Sequence, residues 1–247
     1  MDHGAYIRDI PGSSVAVLMI HGIAGTPAHF RDLIPALPEN WTVHNILLDG
    51  HGKSVRDFSL SSMEKWRSQA FRELEQLLET HEKVILVAHS MGTLFAIQAA
   101  VAHPDRIPFL LLLNVPTRPR VRLSSVPVYL RVNRGNLRLD DIPAWDLYNS
   151  TSIYLEKQIW KYLSWTPRGA ELLLEIRKTR QLLPQLQVPA QAFHSQKDEL
   201  VSNRSKKDLM GHPYIQLHSL SQSGHFRYTP EDTETILSTL KEMMNAL

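Results

Sequence analysis

No cysteine occurs among the 247 residues of this chain. Disulfides, thiolate nucleophiles and cysteine-ligated zinc are therefore excluded. No apolar run approaches the roughly 20 residues that cross a bilayer. The opening stretch MDHGAYIRDIPGSS lacks the basic n-region and apolar h-region of a signal peptide. A cytoplasmic protein with no integral membrane segment is the expectation. Charge of one sign is also lacking: 27 Lys and Arg stand against 25 Asp and Glu, leaving a net charge of +2. That balance implies no nucleic-acid partner. The 12 histidines fall in no HExxH or comparable ligand spacing, so no metal is expected. Internal repeats and low-complexity tracts are absent as well.

What is present is a hydrophobic content of 43%, sufficient for one well-buried core. Short apolar runs alternate with helical patterns. VAVLMI (15–20), TVHNILL (42–48), VILVAH (84–89) and FLLLLN (109–114) read as strands buried on both faces, the mark of a parallel sheet covered by helices. Phe30, Leu33, Ile34 and Leu37, after Pro27, predict a helix. A second helix carries Met63, Trp66, Ala70, Leu74, Leu77 and Leu78, and a third runs from Met91 to His103, before Pro104. From Val115 to about Leu186 the rhythm breaks. Prolines 116, 119, 127 and 143 precede helical stretches expected between Tyr148 and Leu183. The alternation resumes with VPAQAFH (188–194), a helix near Ser202–Leu209, YIQLHSL (214–220) and a final helix through Leu247. The expectation is an α/β fold: a mostly parallel, doubly wound sheet built from 1–114 and 187–247, with a helical cap inserted at 115–186.

The chemistry begins at Ala88-His89-Ser90-Met91-Gly92, where a buried strand turns at once into a helix. A serine there is either an ordinary N-cap or a nucleophile. The pattern matches the nucleophile elbow G-x-S-x-G with alanine at its first position, and small residues two before and two after let strand and helix approach. A serine hydroxyl needs a base, and the base needs a carboxylate to hold its tautomer. Asp198, in SQKDE after AFH, and His225, in SQSGH after IQLHSL, follow Ser90 in the order Ser, Asp, His, each in a loop after a later strand. Glu199 is the alternative acid, though it reads better as the start of the next helix. An oxyanion hole needs two backbone N–H donors. Met91 at the helix N-terminus offers one and Ile23, in the loop His21-Gly22-Ile23-Ala24-Gly25, the other.

LMIHGIAGT, LDGHGKS, VAHSMGT, SQKDELV and SQSGH together resemble the α/β-hydrolase family, in its carboxylesterase and monoacylglycerol-lipase branch. The resemblance implies an α/β-hydrolase fold and a serine carboxylesterase that cleaves small to medium acyl esters, monoacylglycerols among them, through an acyl-enzyme. It implies no metal and no organic cofactor. It assigns Ser90 as nucleophile, Asp198 and His225 as its partners, and Ile23 and Met91 as oxyanion donors that also touch substrate. The partner is then a small-molecule ester, and a homodimer is compatible with it. Thioester hydrolysis and carbon–carbon bond hydrolysis use the same triad, and a non-catalytic binding protein retaining the fold is the remaining alternative.

Three further features need a reading. Gly50-His51-Gly52-Lys53-Ser54 ends like a phosphate-binding loop, but Leu47 stands where that motif requires glycine, which favours a structural turn. Arg118, Arg120, Arg122, Arg131, Arg134 and Arg138 form either a solvated face or a basic rim that attracts anionic substrates. Trp145, Tyr148, Tyr154, Trp160, Tyr162 and Trp165 read mainly as packing within the insertion, with one or two lining an acyl pocket beside Ile23 and Met91.

Overall fold

The computed structural model describes residues 3–120, 126–135, 137–138 and 140–247. One sheet runs in the order β1-β3-β2-β4-β5-β6-β7, with β1 Tyr6–Arg8, β2 Val15–Ile20, β3 Thr42–Ile46, β4 Lys83–His89, β5 Leu110–Leu113, β6 Ala190–Ser195 and β7 Ile215–Leu220. The six apolar runs read from the sequence are the six mutually parallel strands. β1 is antiparallel to β3 and has no apolar pattern: Tyr6 and Ile7 are exposed and Ile7 is followed by Arg8.

Alternation along each strand divides the core. Ala16, Leu18 and Ile20 of β2 face one side, with α2 (Met63–Thr80), α3 (Met91–Ala102) and α6 (Thr166–Leu182). Val17 and Met19 face the other, with Phe30, Leu33 and the α8 helix (Pro230–Asn245). α2 is amphipathic, burying Met63, Trp66, Ala70, Leu74, Leu77 and Leu78 as its periodicity predicts. α3 is apolar on every side and buried along ten consecutive residues, Met91 to Ala100, because strands and helices enclose it.

Several local expectations are corrected. Residues 27–37 form two short 3-10 helices, Pro27–Phe30 and Ile34–Ala36, instead of one α-helix. Pro35 lacks the N–H that a continuous helix would use, and Pro38 forces Leu37 into extended backbone. Ser54 starts α1 (Val55–Leu60) with a capping box to Asp57, so the Gly50–Ser54 stretch is a turn and helix start. Residues 203–209 hold a 3-10 turn and the four-residue α7 (Lys206–Leu209). In the insertion, helices begin earlier than Tyr148: α4 is Val126–Arg134 and α5 is Ile142–Ser150. Pro127 and Pro143 fall in their first turns, where a missing N–H costs nothing.

The insertion packs in two ways. α6 contributes Ile176 to the main core, and its Glu175 and Thr179 take hydrogen bonds from Gln98 of α3 at 2.6 and 2.9 Å. α4 and α5 instead form their own small cluster around Val132, Ala144 and Leu147, which takes in Phe226 from the core. Among the described residues, no helix is long and apolar enough to cross a membrane.

The strand order also fixes where a site can form. From β2 the chain moves outward to β3, and from β4 it moves the opposite way to β5. The loops leaving the carboxyl ends of β2 and β4 therefore diverge, opening a crevice between them. Those loops contain Gly22 and Ser90.

Candidate active site

Ser90 is the single residue between β4 and α3. Its backbone, at φ 51° and ψ −121°, lies in a region that costs a non-glycine residue about 1–3 kcal/mol. The turn is held by the Ser90 N–H, which donates to Leu113 O at 2.8 Å, and by Thr93 Oγ1, which donates to Ser90 O at 2.6 Å. The Ser90 side chain makes no capping bond to α3, so the N-cap reading is ruled out. Positive φ occurs at two other described non-glycine residues, Ala24 and Asn114, and both also follow carboxyl ends of strands. Gly92 lets the helix leave so abruptly: a Cβ there would lie 2.1 Å from Ile20 O and 2.8 Å from His21 O. A Cβ on Gly22 would lie 2.9 Å from Ser90 Cβ and 3.4 Å from its Oγ, so the loop after β2 rests against this side chain.

The structure brings His225 and Asp198 together as the sequence order requires. His225 Nδ1 donates to Asp198 Oδ2 at 2.8 Å, with the two side chains 3% and 1% exposed. The other Asp198 oxygen accepts from the Leu200 and Val201 N–H groups at 2.7 and 2.6 Å. Burial works to raise this carboxyl, but the His225 charge and hydrogen bond and the two amides outweigh it and hold it below the usual carboxylate range. Glu199 does not begin a helix. It stays in the loop, where its Oε2 accepts the His225 N–H at 2.8 Å. The acid paired with the ring is therefore Asp198. Ser90 Oγ and His225 are not joined by a hydrogen bond. They are linked through His89, whose Nε2–H donates to His225 O at 3.1 Å and whose ring lies 4.8 Å from that of His225.

Several residues packed around the candidate site are weakly marked in the sequence. His89 occupies the x position of the elbow, the one signal that marked it. It stacks on His29 with centroids 3.7 Å apart, and His29 reaches Tyr228 OH at 3.3 Å. Burial, then neighbouring imidazoles, keeps His89 well below the ordinary histidine value and lowers His29 to about 3. Both rings are neutral at pH 7. His21 accepts the Leu48 N–H at Nε2 (3.1 Å) and donates from Nδ1 to Gly22 O (2.8 Å). Burial lowers it to about 4 against the pull of that carbonyl. It thus anchors the first peptide of the Gly22 loop. The far side of this loop is tied to the insertion by Ser152, which donates N–H to Ala24 O (3.1 Å) and Oγ to Gly25 O (2.5 Å).

Ile23 and Met91 flank the crevice, and among the described residues neither N–H donates to a protein acceptor. Ile23 also lines an apolar cavity of about 470 Å³ whose walls include Ala24, Phe58, Leu130, Val132, Leu147, Leu155, Ile159, Tyr162, Trp165 and Phe226. Of the six insertion aromatics, Tyr162 and Trp165 line it. Met91 does not: its side chain is fully buried in the core. The insertion's arginines are partly committed. Arg118 makes a two-pronged pair with Asp208 at 2.8 and 3.0 Å, and Arg131 pairs with Asp141 at 2.6 Å. Arg122 and the side chain of Arg134 lie outside the described residues.

Comparison with known proteins identifies the family. Two curated relatives align with different reach. An uncharacterized protein of Mycobacterium tuberculosis is 32% identical over 127 residues, 48% of this chain and 36% of that protein, so the match spans about a third of its length. The pimeloyl-[acyl-carrier protein] methyl ester esterase of Vibrio atlanticus is 23% identical over 248 residues, 90% of this chain and 92% of that one. Among solved structures, one from work on the metagenome-derived lipolytic enzymes LipS and LipT superposes with a TM-score of 0.73 at 19% identity, covering 98% of each chain. The model of the alpha/beta hydrolase family matches residues 17–236, spanning both halves of the sheet and the whole insertion, and the chain belongs to that family.

Proposed function

We propose that the protein is a serine carboxylesterase acting on esters of small to medium acyl chains, monoacylglycerols among them. The observation that carries this reading is Ser90 itself: a strained, uncapped serine between strand and helix, beside a buried His–Asp pair. In the reaction, Ser90 Oγ attacks the ester carbonyl while His225 Nε2 takes its proton. Asp198 stabilises the imidazolium that forms. The Ile23 and Met91 N–H groups receive the oxyanion. Collapse expels the alcohol, which takes the proton from His225. Water then attacks the acyl-enzyme with His225 again as base, releasing the acid and restoring Ser90.

The apolar cavity supports an acyl site, because its lining includes Ile23 and Phe226, next to Gly22 and His225 in the chain. Its walls offer hydrocarbon contact along their length, with Asn133, Thr151 and Arg168 as polar exceptions. The test is a panel of esters, with thioesters alongside, on wild type and Ser90→Ala. Ser90→Ala should fold normally and lose several orders of magnitude in kcat. A fluorophosphonate should label Ser90, and an adduct mapped elsewhere refutes the assignment.

A further inference from the structure

His225 has four polar groups: its backbone N–H, its backbone C=O, and the two ring nitrogens. Three are taken by protein partners. The N–H donates to Glu199 Oε2 at 2.8 Å, the C=O accepts from His89 Nε2 at 3.1 Å, and Nδ1 donates to Asp198 at 2.8 Å. Among the described residues, Nε2 has no hydrogen-bond partner. The two backbone contacts come from different elements, the end of β4 and the loop after β6. His89 belongs to the elbow and abuts the Gly22 loop, its Nδ1 lying 3.3 Å from where a Gly22 Cβ would sit. Glu199 belongs to the loop that carries Asp198.

We infer that His89 and Glu199 are a pair of positioning residues that clamp the main chain of His225 from two sides and so set where its Nε2 points. The Asp198 bond restrains the ring about one nitrogen only. It leaves the histidine's Cα able to shift with its loop, whereas bonds to the peptide groups on either side of that Cα restrain the loop itself. Gly224 belongs to the same device. A Cβ at this position would meet Glu199 Oε1 at 2.8 Å and Oε2 at 3.2 Å. Glycine before the histidine is therefore the condition for the carboxylate to reach the His225 N–H. The stretch just before the clamp is pinned independently: Asp232 Oδ2 accepts from the Ser223 N–H and Oγ at 3.1 and 2.6 Å. Losing the clamp should therefore displace His225 without releasing the whole loop.

This inference rests on the esterase reading, and the experiment separates the two. His89→Phe keeps an aromatic ring for stacking but removes the donor. Glu199→Leu removes the acceptor. Gly224→Ala leaves Glu199 in place but pushes its flexible carboxylate aside. Each should lower kcat by roughly tenfold to a hundredfold, the range expected for a displacement near 1 Å at a reacting group, with KM held within about twofold. The labelling rate of Ser90 by a fluorophosphonate should fall in step. His89→Gln restores an N–H donor and Glu199→Gln an acceptor oxygen, so both should recover most of the rate. Adding Gly224→Ala to Glu199→Leu should cost nothing further, since the carboxylate is already gone. Wild-type kcat in His89→Phe, Glu199→Leu and Gly224→Ala overturns the clamp, provided Ser90→Ala is inactive. Glutamine variants as slow as the apolar ones overturn it equally, because packing alone would then explain the loss. Retained hydrolysis in Ser90→Ala overturns the esterase reading and the clamp with it.

Discussion

Replacing Gly22 with alanine tests the site through one added methyl group. That carbon would stand 2.9 Å from Ser90 Cβ, 3.3 Å from His89 Nδ1 and 3.4 Å from Ser90 Oγ. Carbon atoms settle at about 3.5–4.0 Å, so something must move by at least ~0.6 Å. Ser90 is poorly placed to yield. Its N–H is fixed to Leu113 O, and its helix is seated at Gly92 against the Ile20 and His21 carbonyls. The Gly22 loop must give instead, straining the His21–Gly22 and Gly25–Gly22 hydrogen bonds of 2.8 and 3.0 Å. The next N–H in that loop belongs to Ile23, the proposed oxyanion donor. Outright removal of one such donor costs about 10²–10³ in kcat, so partial displacement should cost roughly 10–10². Overpacking should cost about 1–3 kcal/mol of stability, a fall of about 2–4 °C in Tm for each kcal/mol at this chain length. Steady-state kinetics on a short, water-soluble aryl ester, with a thermal melt of the same preparation, gives both quantities. A folded Gly22→Ala with wild-type kcat would refute the placement of Ile23 at the reacting centre.

Three other outcomes follow from the same structure. Lengthening the acyl chain should raise kcat/KM by up to about fourfold per methylene until the cavity is filled, since each buried methylene contributes about 0.8 kcal/mol; a flat profile across the panel would place the acyl chain elsewhere. Gly92→Ala should fail at folding before catalysis, because its methyl meets two backbone carbonyls that no side-chain rotation can clear, and a soluble variant with an unchanged melt would contradict that packing. His44 is bonded to Glu73 and Asp9; the Glu73 bond, opposed by burial and reinforced by Asp9, raises its pKa above 6.5. Its stabilising contribution is therefore complete below about pH 6.5 and is lost as pH rises through the higher folded-state value. His44→Gln should flatten denaturation midpoints across that window, and an unchanged pH dependence would show the ring contributes nothing.

The sheet was legible because its strands are buried on both faces, and runs such as VAVLMI and FLLLLN carry that condition in composition alone. β1 was not, since three residues beginning with an exposed tyrosine leave no pattern to detect. Residues 27–37 misled for a definite reason: the spacing of Phe30, Leu33 and Leu37 marks one buried side, and successive 3-10 turns with prolines can present the same side as a helix. At the candidate site, Ser90, Asp198 and His225 stand out in the sequence because acyl-transfer chemistry demands those residue types in loops after particular strands, and the fold pairs His225 with Asp198. His89 and Glu199 act on a backbone carbonyl and a backbone amide. Nothing in a residue's identity announces such a contact until the loops are placed in space.

Placing the loops also explains why so many histidines can crowd the proposed base. In the proposed reaction His225 becomes cationic, and His89 and His29 stand stacked on one another beside it. Charged rings there would oppose the imidazolium and slow proton transfer. Burial prevents this: His29, His89 and, under the neighbouring loop, His21 are all driven below the ordinary histidine range, so they remain neutral donors and acceptors at pH 7. Asp198 is shifted in the opposite sense, favouring its ionised form beside the same ring. The histidine cluster is thus compatible with a cationic intermediate because desolvation leaves a carboxylate as the charge directly bonded to the His225 ring, while the imidazoles around it supply geometry without supplying charge.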